Sequence, residues 1–328
     1  IYDIENGRIK GSFRTPGFDP QAIGIYRDTI IASDGDRIHF IDEKGNIYRT
    51  LYTSYVSSIT GLCSRGDMIW LACSSGKIYC ISGEDGIIVK TLEGPGVRII
   101  GLAFNNGYLW TMSRYREESY MIDIERYAVV NVLKSPGPYP SGISFHDRKM
   151  YISDFEKDSI YVMKIHPEEN PAVDREIESL VTLRWELVNT GLNNVKGAEV
   201  YFAVPVDMPN QEIMGEIEFE PEPDEFLVDR YKQKVAHYSI EDIEPGENHI
   251  LESRINVKTS YVNHFILPEK IGKRDDIPNQ IRERYTSDDL RFSINTSYIQ
   301  SSVEDATDNE DNLYWITRKI LNYVAREI

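Results

Sequence analysis

Short apolar runs, broken by polar turns, fill the first half of the chain and return in register. An apolar–aromatic–x–apolar–acid pattern opens as Ile1-Tyr2-Asp3-Ile4-Glu5 and returns as Ile38-His39-Phe40-Ile41-Asp42. Looser copies follow as Ile78-Tyr79-Cys80-Ile81-Ser82, Ser119-Tyr120-Met121-Ile122-Asp123 and Ile160-Tyr161-Val162-Met163-Lys164. A second marker keeps step with it: Gly24-Ile25, Gly61-Leu62, Gly101-Leu102, Gly142-Ile143. Between them lie Thr29-Ile30-Ile31-Ala32, Ile69-Trp70-Leu71-Ala72, Tyr108-Leu109-Trp110-Thr111 and Met150-Tyr151-Ile152-Ser153. A last run, such as Ile47–Leu51 or Ile87–Leu92, closes most units. These runs are too short for helices, and Asp34-Gly35-Asp36, Ser75-Gly76 and Asn105-Asn106-Gly107 read as hairpin turns.

Four short strands in about 40 residues is the arithmetic of a β-propeller blade. Over residues 1–178 the chain resembles NHL-like and quinoprotein-like propellers, without the Trp-Asp and Gly-His signatures of WD40 repeats. The resemblance implies architecture and leaves function open. The chain opens on the third strand of a blade and then supplies four full repeats. One blade is therefore expected to lack its two inner strands, leaving the ring incomplete. An open ring exposes strand edges, so residues upstream of Ile1 or a partner are expected to cover them.

Near Pro171 the period stops and longer alternation begins. Val181, Leu183, Trp185 and Leu187 share one face, Asn189-Thr190-Gly191 turns the chain, and residues 198–205 alternate again. Residues 216–220, 234–240 and 251–258 read as further strands, with turns at 229–232 and 244–247. Residues 179–266 are thus expected to form an immunoglobulin-like β-sandwich. An ordered series also runs through this region: Asn189-Thr190-Gly191, Val204-Pro205-Val206-Asp207, Asp229-Arg230-Tyr231 and Ile243-Glu244-Pro245-Gly246. It continues with Leu267-Pro268-Glu269-Lys270, Asp276-Ile277-Pro278-Asn279, Arg284-Tyr285-Thr286 and Asn312-Leu313-Tyr314-Trp315. This series resembles the β-rich domain before the core of microbial transglutaminase-like proteins. The resemblance implies a Cys-His-Asp triad that would come after the chain's last helix, so the catalytic core is absent from these residues. Residues 267–328 read as a helical extension that starts such a core. Leu313, Ile316, Ile320, Tyr323, Val324 and Ile328 make one apolar stripe on its last helix, capped by Asn309, Asp311 or Asn312. That stripe needs a partner surface, expected outside the chain.

Charge narrows the partners. With 36 Lys+Arg against 53 Asp+Glu the net charge is −17, which disfavours nucleic acid and anionic lipid. No apolar run is long enough to span a membrane. Cys63, Cys73 and Cys80 fall in one repeat and read as small buried hydrophobes; with Cys73 opposite Ile78 across the hairpin, none pairs. The histidines at 39, 146, 166, 237, 249 and 264 lack metal spacing. Asp305, Asp308, Glu310 and Asp311 form an acidic loop better read as helix capping than as a calcium site. Tyr26, Tyr108, Tyr115, Tyr139 and Tyr151 either pack in blades or stack on a ligand or partner. Asn295-Thr296-Ser297 is a glycosylation sequon. No catalytic, cofactor-binding or metal-ligating set is assigned. The expected role is a non-catalytic binding and scaffold portion of a secreted or cell-surface protein. The alternatives are the targeting half of a cysteine protease or transglutaminase, or a structural subunit of an extracellular assembly. A protein partner, or further parts of the same protein, is expected at the propeller edge and the C-terminal helix.

Overall fold

Each repeat folds into an antiparallel meander because its runs are just long enough for one strand and its turns favour reversal. The computed structural model describes residues 2–3, 6–14, 17, 19–56, 58–165, 172–229, 232–288 and 293–327. A two-stranded piece comes first, β1 (Tyr2–Asp3) with β2 (Arg8–Ile9). Blade 1 holds β3 (Pro20–Tyr26), β4 (Thr29–Asp34), β5 (Arg37–Ile41) and β6 (Ile47–Tyr52). Blade 2 holds β7 (Ile59–Arg65), β8 (Met68–Cys73), β9 (Lys77–Ser82) and β10 (Ile88–Glu93). Blade 3 holds β11 (Ile99–Asn105), β12 (Tyr108–Ser113), β13 (Glu118–Asp123) and β14 (Ala128–Lys134). Among the described residues blade 4 holds β15 (Pro140–His146), β16 (Lys149–Asp154) and β17 (Ser159–Lys164). Three strands of the fourth repeat thus lie among the described residues. No fourth apolar run follows Lys164, and residues 166–171 lie outside the described ones, as do Ile1, Ile4 and Glu5 of the opening half-repeat.

The first strands of successive blades lie side by side, β3 against β7, β7 against β11 and β11 against β15. This is the radial arrangement of a partial propeller, with the innermost strands around one axis. Blades pack face to face through apolar side chains. Tyr26, Ile31 and Phe40 of blade 1 meet Leu62, Ile69 and Leu71 of blade 2. Trp70 meets Phe104 of blade 3 edge-on at 5.6 Å, and Trp110 meets Phe145 of blade 4 at 5.2 Å. Burying each such side chain contributes roughly 1.5–3 kcal/mol.

The glycine marker explains how the innermost strands come so close. A Cβ on Gly24 would lie 2.8 Å from the Leu62 carbonyl oxygen, and one on Gly61 2.7 Å from the Gly101 backbone. Counted back from the hairpin turns, Gly61, Gly101 and Gly142 are equivalent, but Ala22 holds that place in blade 1 and Gly24 stands later. The marker is therefore one structural position in three blades, not four. Beside it every innermost strand bulges, between Pro20 and Ala22, Ile59 and Gly61, Ile100 and Leu102, and Pro140 and Gly142. Hydroxyls on second strands take up the disrupted backbone groups: Ser33 accepts from Ala22 N–H at 3.0 Å, and Thr111 donates to Gly101 O at 2.9 Å.

The second unit, Glu168–Phe265, is a two-sheet sandwich. Its strands are β18 (Ala172–Val188), β19 (Val195–Ala203), β20 (Gln211–Ile213), β21 (Glu218–Glu220), β22 (Glu225–Val228), β23 (Lys234–Ile243) and β24 (Asn248–Asn263). One sheet runs β18-β24-β20, with β21 also on β24; the other runs β19-β23-β22. Trp185 stacks on Phe202 at 3.8 Å between them, and Phe202 meets Tyr238 edge-on. Sandwich pairing begins at Ala172, earlier than residue 179, because β18 continues its alternation as a long ribbon with β24. Arg230 and Tyr231 of the expected turn lie outside the described residues.

Residues 266–328 group with the blades. After two short 3-10 turns come α1 (Asn279–Tyr285), α2 (Ser297–Thr307) and α3 (Leu313–Glu327). The start of this segment and α3 dock along the outer strand of blade 3. The Asn131 side chain bridges both backbone groups of Ile266, Tyr314 Oη donates to Val130 O at 2.9 Å, and Arg318 donates to Val129 O. Arg126 pairs with Glu310 at 2.7 Å and lies over the Trp315 ring. The first turns of α3 thus have a partner surface inside the chain, which the apolar periodicity did not reveal. The reason is that Trp315, Tyr314 and Arg318 make the contact, while Ile320 and Val324 of the expected stripe stay exposed. Ile328 lies outside the described residues. Asn312, one of the three expected caps, accepts the N–H groups of Tyr314 and Trp315 at 3.0 and 3.3 Å.

The glycine packing is directly testable. Gly61→Ala should lower stability by about 1–3 kcal/mol through overpacking, whereas Gly11→Ala, where a Cβ meets open space, should leave the urea midpoint unchanged. Equal midpoints for both variants would mean that blades 2 and 3 do not approach this closely.

Candidate functional site

In each blade the start of the innermost strand pairs with the end of the second: Pro20 with Asp34, Ile59 with Cys73, Ile99 with Ser113, Pro140 with Asp154. The residues just outside these pairs therefore share one end of the propeller. They are Asp19 and Gly35, Ser58 and Ser74, Arg98 and Arg114, Tyr139 and Phe155. Backbone bonds tie them into a rim: Ser74 N–H to Ser58 O at 3.1 Å, Arg98 N–H to Ser74 O at 3.1 Å, and Phe155 N–H to Tyr139 O at 3.0 Å.

Two arginine–tyrosine stacks stand on this rim. Arg98 lies over the Tyr115 ring at 5.1 Å and Arg114 over the Tyr139 ring at 4.4 Å. Arg114 also donates from Nε to Pro140 O at 3.3 Å and from Nη1 to Tyr139 Oη at 3.4 Å, crossing from blade 3 to blade 4. Asp154 fixes the tyrosine loop by accepting the N–H groups of Tyr139 and Lys157 at 2.8 and 2.9 Å. Burial opposes ionisation of Asp154, but these N–H donors outweigh it and hold its carboxyl below the usual range. Together Arg98, Arg114, Tyr115 and Tyr139 line a cleft of about 250 Å³ with Thr60, Ser74 and Ile100 at its base.

Thr60 also lines a second cavity, of about 340 Å³, on the propeller axis. Its walls are innermost-strand residues such as Ala22, Leu62, Leu102 and Ile143, with Tyr151 and Ser153 from blade 4. Among the described residues that line it, none carries a carboxylate, imidazole, amine or guanidinium. General acid–base chemistry needs such groups, so the axial cavity offers shape and hydroxyls but no catalytic pair.

The residues singled out by sequence separate clearly. Tyr26, Tyr108 and Tyr151 are buried in the blades, whereas Tyr115 and Tyr139 are exposed on the rim. Cys63, Cys73 and Cys80 are buried and unbridged. Burial pushes the Cys73 thiol up to about 12 and raises Cys63 and Cys80 as well, the reverse of an activated nucleophile. The expected register was one residue off: Ala72 sits opposite Ile78 and Cys80 opposite Trp70. The cause is the tight Ser74-Ser75-Gly76 turn, with Gly76 at φ 92° and its N–H on Cys73 O.

The acidic loop is occupied by structural bonds. Glu310 takes Arg126 and the N–H groups of Asp311 and Asn312, Asp311 pairs with Lys273 at 3.1 Å, and Asp308 ends α2. Among the described residues no cluster of three metal-capable side chains occurs. Asn295 of the sequon is exposed, and Thr296 caps α2. His39 is buried against Thr50 Oγ1 at 3.0 Å, His146 and His264 are exposed, and His166 lies outside the described residues.

His237, on the sandwich, was missed as special. Its Nε2 meets Glu199, its Nδ1 meets Glu225 at 3.1 Å, and its ring stacks on Tyr201 at 4.6 Å. Both nitrogens face acceptors, so the clamp is satisfied only by the imidazolium. The hydrogen bond that His237 donates to Glu199 leads in raising the His237 pKa, and the same bond lowers that of Glu199. The alternation of β19 and β23 held the signal, because it places Glu199 and His237 on the same face.

No protein-family model and no curated protein matches the chain. Among solved structures it is similar to a nidogen–laminin complex chain at 17% identity, covering 50% of this chain and 66% of that one, with a TM-score of 0.40. It is similar to Myxococcus xanthus glutaminyl cyclase at 12% identity, covering 45% and 74%, with a TM-score of 0.38. It is similar to the WD40 propeller domain of Doa1 at 10% identity, covering 44% and 50%, with a TM-score of 0.36. Scores this low carry no argument, and the fold rests on the chain's own sheets.

The histidine clamp predicts a pH dependence with a definite sign. A raised histidine pKa adds stability in full below the ordinary value of 6.5, and this is lost as pH rises through the folded value. The lowered Glu199 pKa adds stability above its ordinary 4.5 that is lost on further acidification. Sandwich stability should therefore be higher near pH 5.5 than near pH 8.5, and His237→Gln should remove that difference. A wild-type difference that survives in His237→Gln would assign the effect to other groups.

Proposed function

We propose that this chain is a non-catalytic binding and scaffold module, with the propeller rim as its binding face and the sandwich as the connecting element. The observation that carries the reading is the rim itself, where exposed arginine–tyrosine stacks stand on loops fixed by backbone bonds. The three cysteine thiols are buried, and burial raises the pKa of each, so none is activated as a nucleophile. The ordered resemblance of residues 189–320 to transglutaminase-like proteins supports placing the module ahead of such a core, in a secreted or cell-surface setting. The exposed Ile320, Leu321 and Val324 on α3 suit contact with that core or with another subunit.

The test is an assay of the purified chain for amine incorporation into glutamine peptides and for peptide hydrolysis. Neither activity is expected, and iodoacetamide should label none of the three cysteines until the protein is unfolded. Turnover abolished by Cys63→Ala, Cys73→Ala or Cys80→Ala would overturn the reading in favour of an enzyme.

A further inference from the structure

We propose that the rim cleft between blades 3 and 4 binds the carboxylate of a glutamate or aspartate in a partner's peptide segment, an assignment that rests on the binding-module reading. The first argument is charge. Several propeller arginines have acids beside them: Arg27 with Asp67, Arg37 with Asp36, Arg126 with Glu310; others, such as Arg49 on the Gly83 and Glu84 carbonyls, are held by backbone oxygens. Among the described residues neither Arg98 nor Arg114 has a carboxylate partner, in a chain where acids outnumber bases by 53 to 36. Two adjacent cations without acids are a site for an external acid.

The second argument is geometry. A guanidinium lying over a tyrosine ring keeps its N–H edges free for a planar anion, and a carboxylate matches that fork with two parallel bonds. Arg114 spends Nε and one Nη1 bond on Pro140 and Tyr139, which fixes the ring side, and among the described residues Nη2 has no partner. Arg98 is held at φ 53° by its N–H on Ser74 O, a backbone region that L residues rarely adopt. The site is therefore set before a ligand arrives, which lowers the entropic cost of binding.

The third argument selects a peptide. The cleft, about 250 Å³, is the size of a side chain with its flanking backbone rather than of a long polymer. Each tyrosine already carries a guanidinium over one face, which removes a stacking surface a sugar would use. A polyanion meets repulsion from the net charge of −17. Beside the cleft Val97 and Phe155 are 65% and 72% exposed, an apolar border for residues next to the acid.

The experiment uses the full chain and a panel of fluorescein-labelled hexapeptides. Each carries one glutamate or aspartate with every residue type at its two neighbours, and each has a matched glutamine or asparagine version. Anisotropy should show the best acidic peptides binding at least about tenfold tighter than their amide versions, since charge-assisted bonds are roughly twice as strong as neutral ones. Arg98→Gln and Arg114→Gln should each reduce that preference to less than about twofold in a protein that still unfolds cooperatively. Three results would each overturn the proposal: no preference for acid over amide anywhere in the panel, a preference that survives the double arginine variant, or tighter binding of an oligouronate or oligothymidylate probe. Loss of the peptide preference without any enzymatic turnover would leave the scaffold reading standing.

Discussion

The close approach of innermost strands about the propeller axis is the constraint from which the rest of this molecule follows. Gly61 and Gly101 leave no room for a Cβ between their backbones. Meeting that constraint forces the bulges, and the bulges call for Ser33 and Thr111 on the second strands to take up the disrupted backbone groups. The blades then fan outward, and their loops come together at one end of the axis. Arg98 stands beside Arg114, and Arg114 reaches Tyr139 in the next blade, because the strands beneath them are in contact. The rim cleft is thus a product of inner packing rather than of loop sequence alone.

A second consequence concerns edges. An outermost blade strand presents unpaired backbone groups to solvent. On blade 3 the helical extension covers them: Tyr314 and Arg318 donate to the carbonyls of Val130 and Val129, and Trp315 packs under Arg126. The chain leaves the first unit after blade 4, forms the sandwich and returns to cover an earlier blade. Return contacts of this kind, between residues more than a hundred positions apart, hold no periodic signal.

How much was legible follows from the same physics. Local periodicities were readable, so the repeat, the strands of blades 1 to 3, the inward face of Val181 to Leu187 and the capping by Asn312 were all visible in the residues. The short strands β20 and β22 were not, because three or four residues give too few alternations to count. The register at Cys73 depended on one tight turn at Gly76. Trp315 was overlooked because its docking uses a tryptophan and an arginine on a face offset from the apolar stripe. The rim pairs come from loops in adjacent blades. Aligning the repeats on the residue three places before Gly61, Gly101 and Gly142 would have brought out Ser58, Arg98 and Tyr139 as one series.

The claim at the centre is that the rim arginines are fixed by the blades before any ligand binds. Side-chain NMR of the arginine Nε–H groups in the free protein tests it most directly, with Arg98→Lys and Arg114→Lys providing the assignments. Stacking on Tyr115 and Tyr139 predicts two resonances shifted upfield by ring currents and distinct from the solvent-averaged arginines. Two resonances at the averaged position would show side chains that move freely, and would contradict the account.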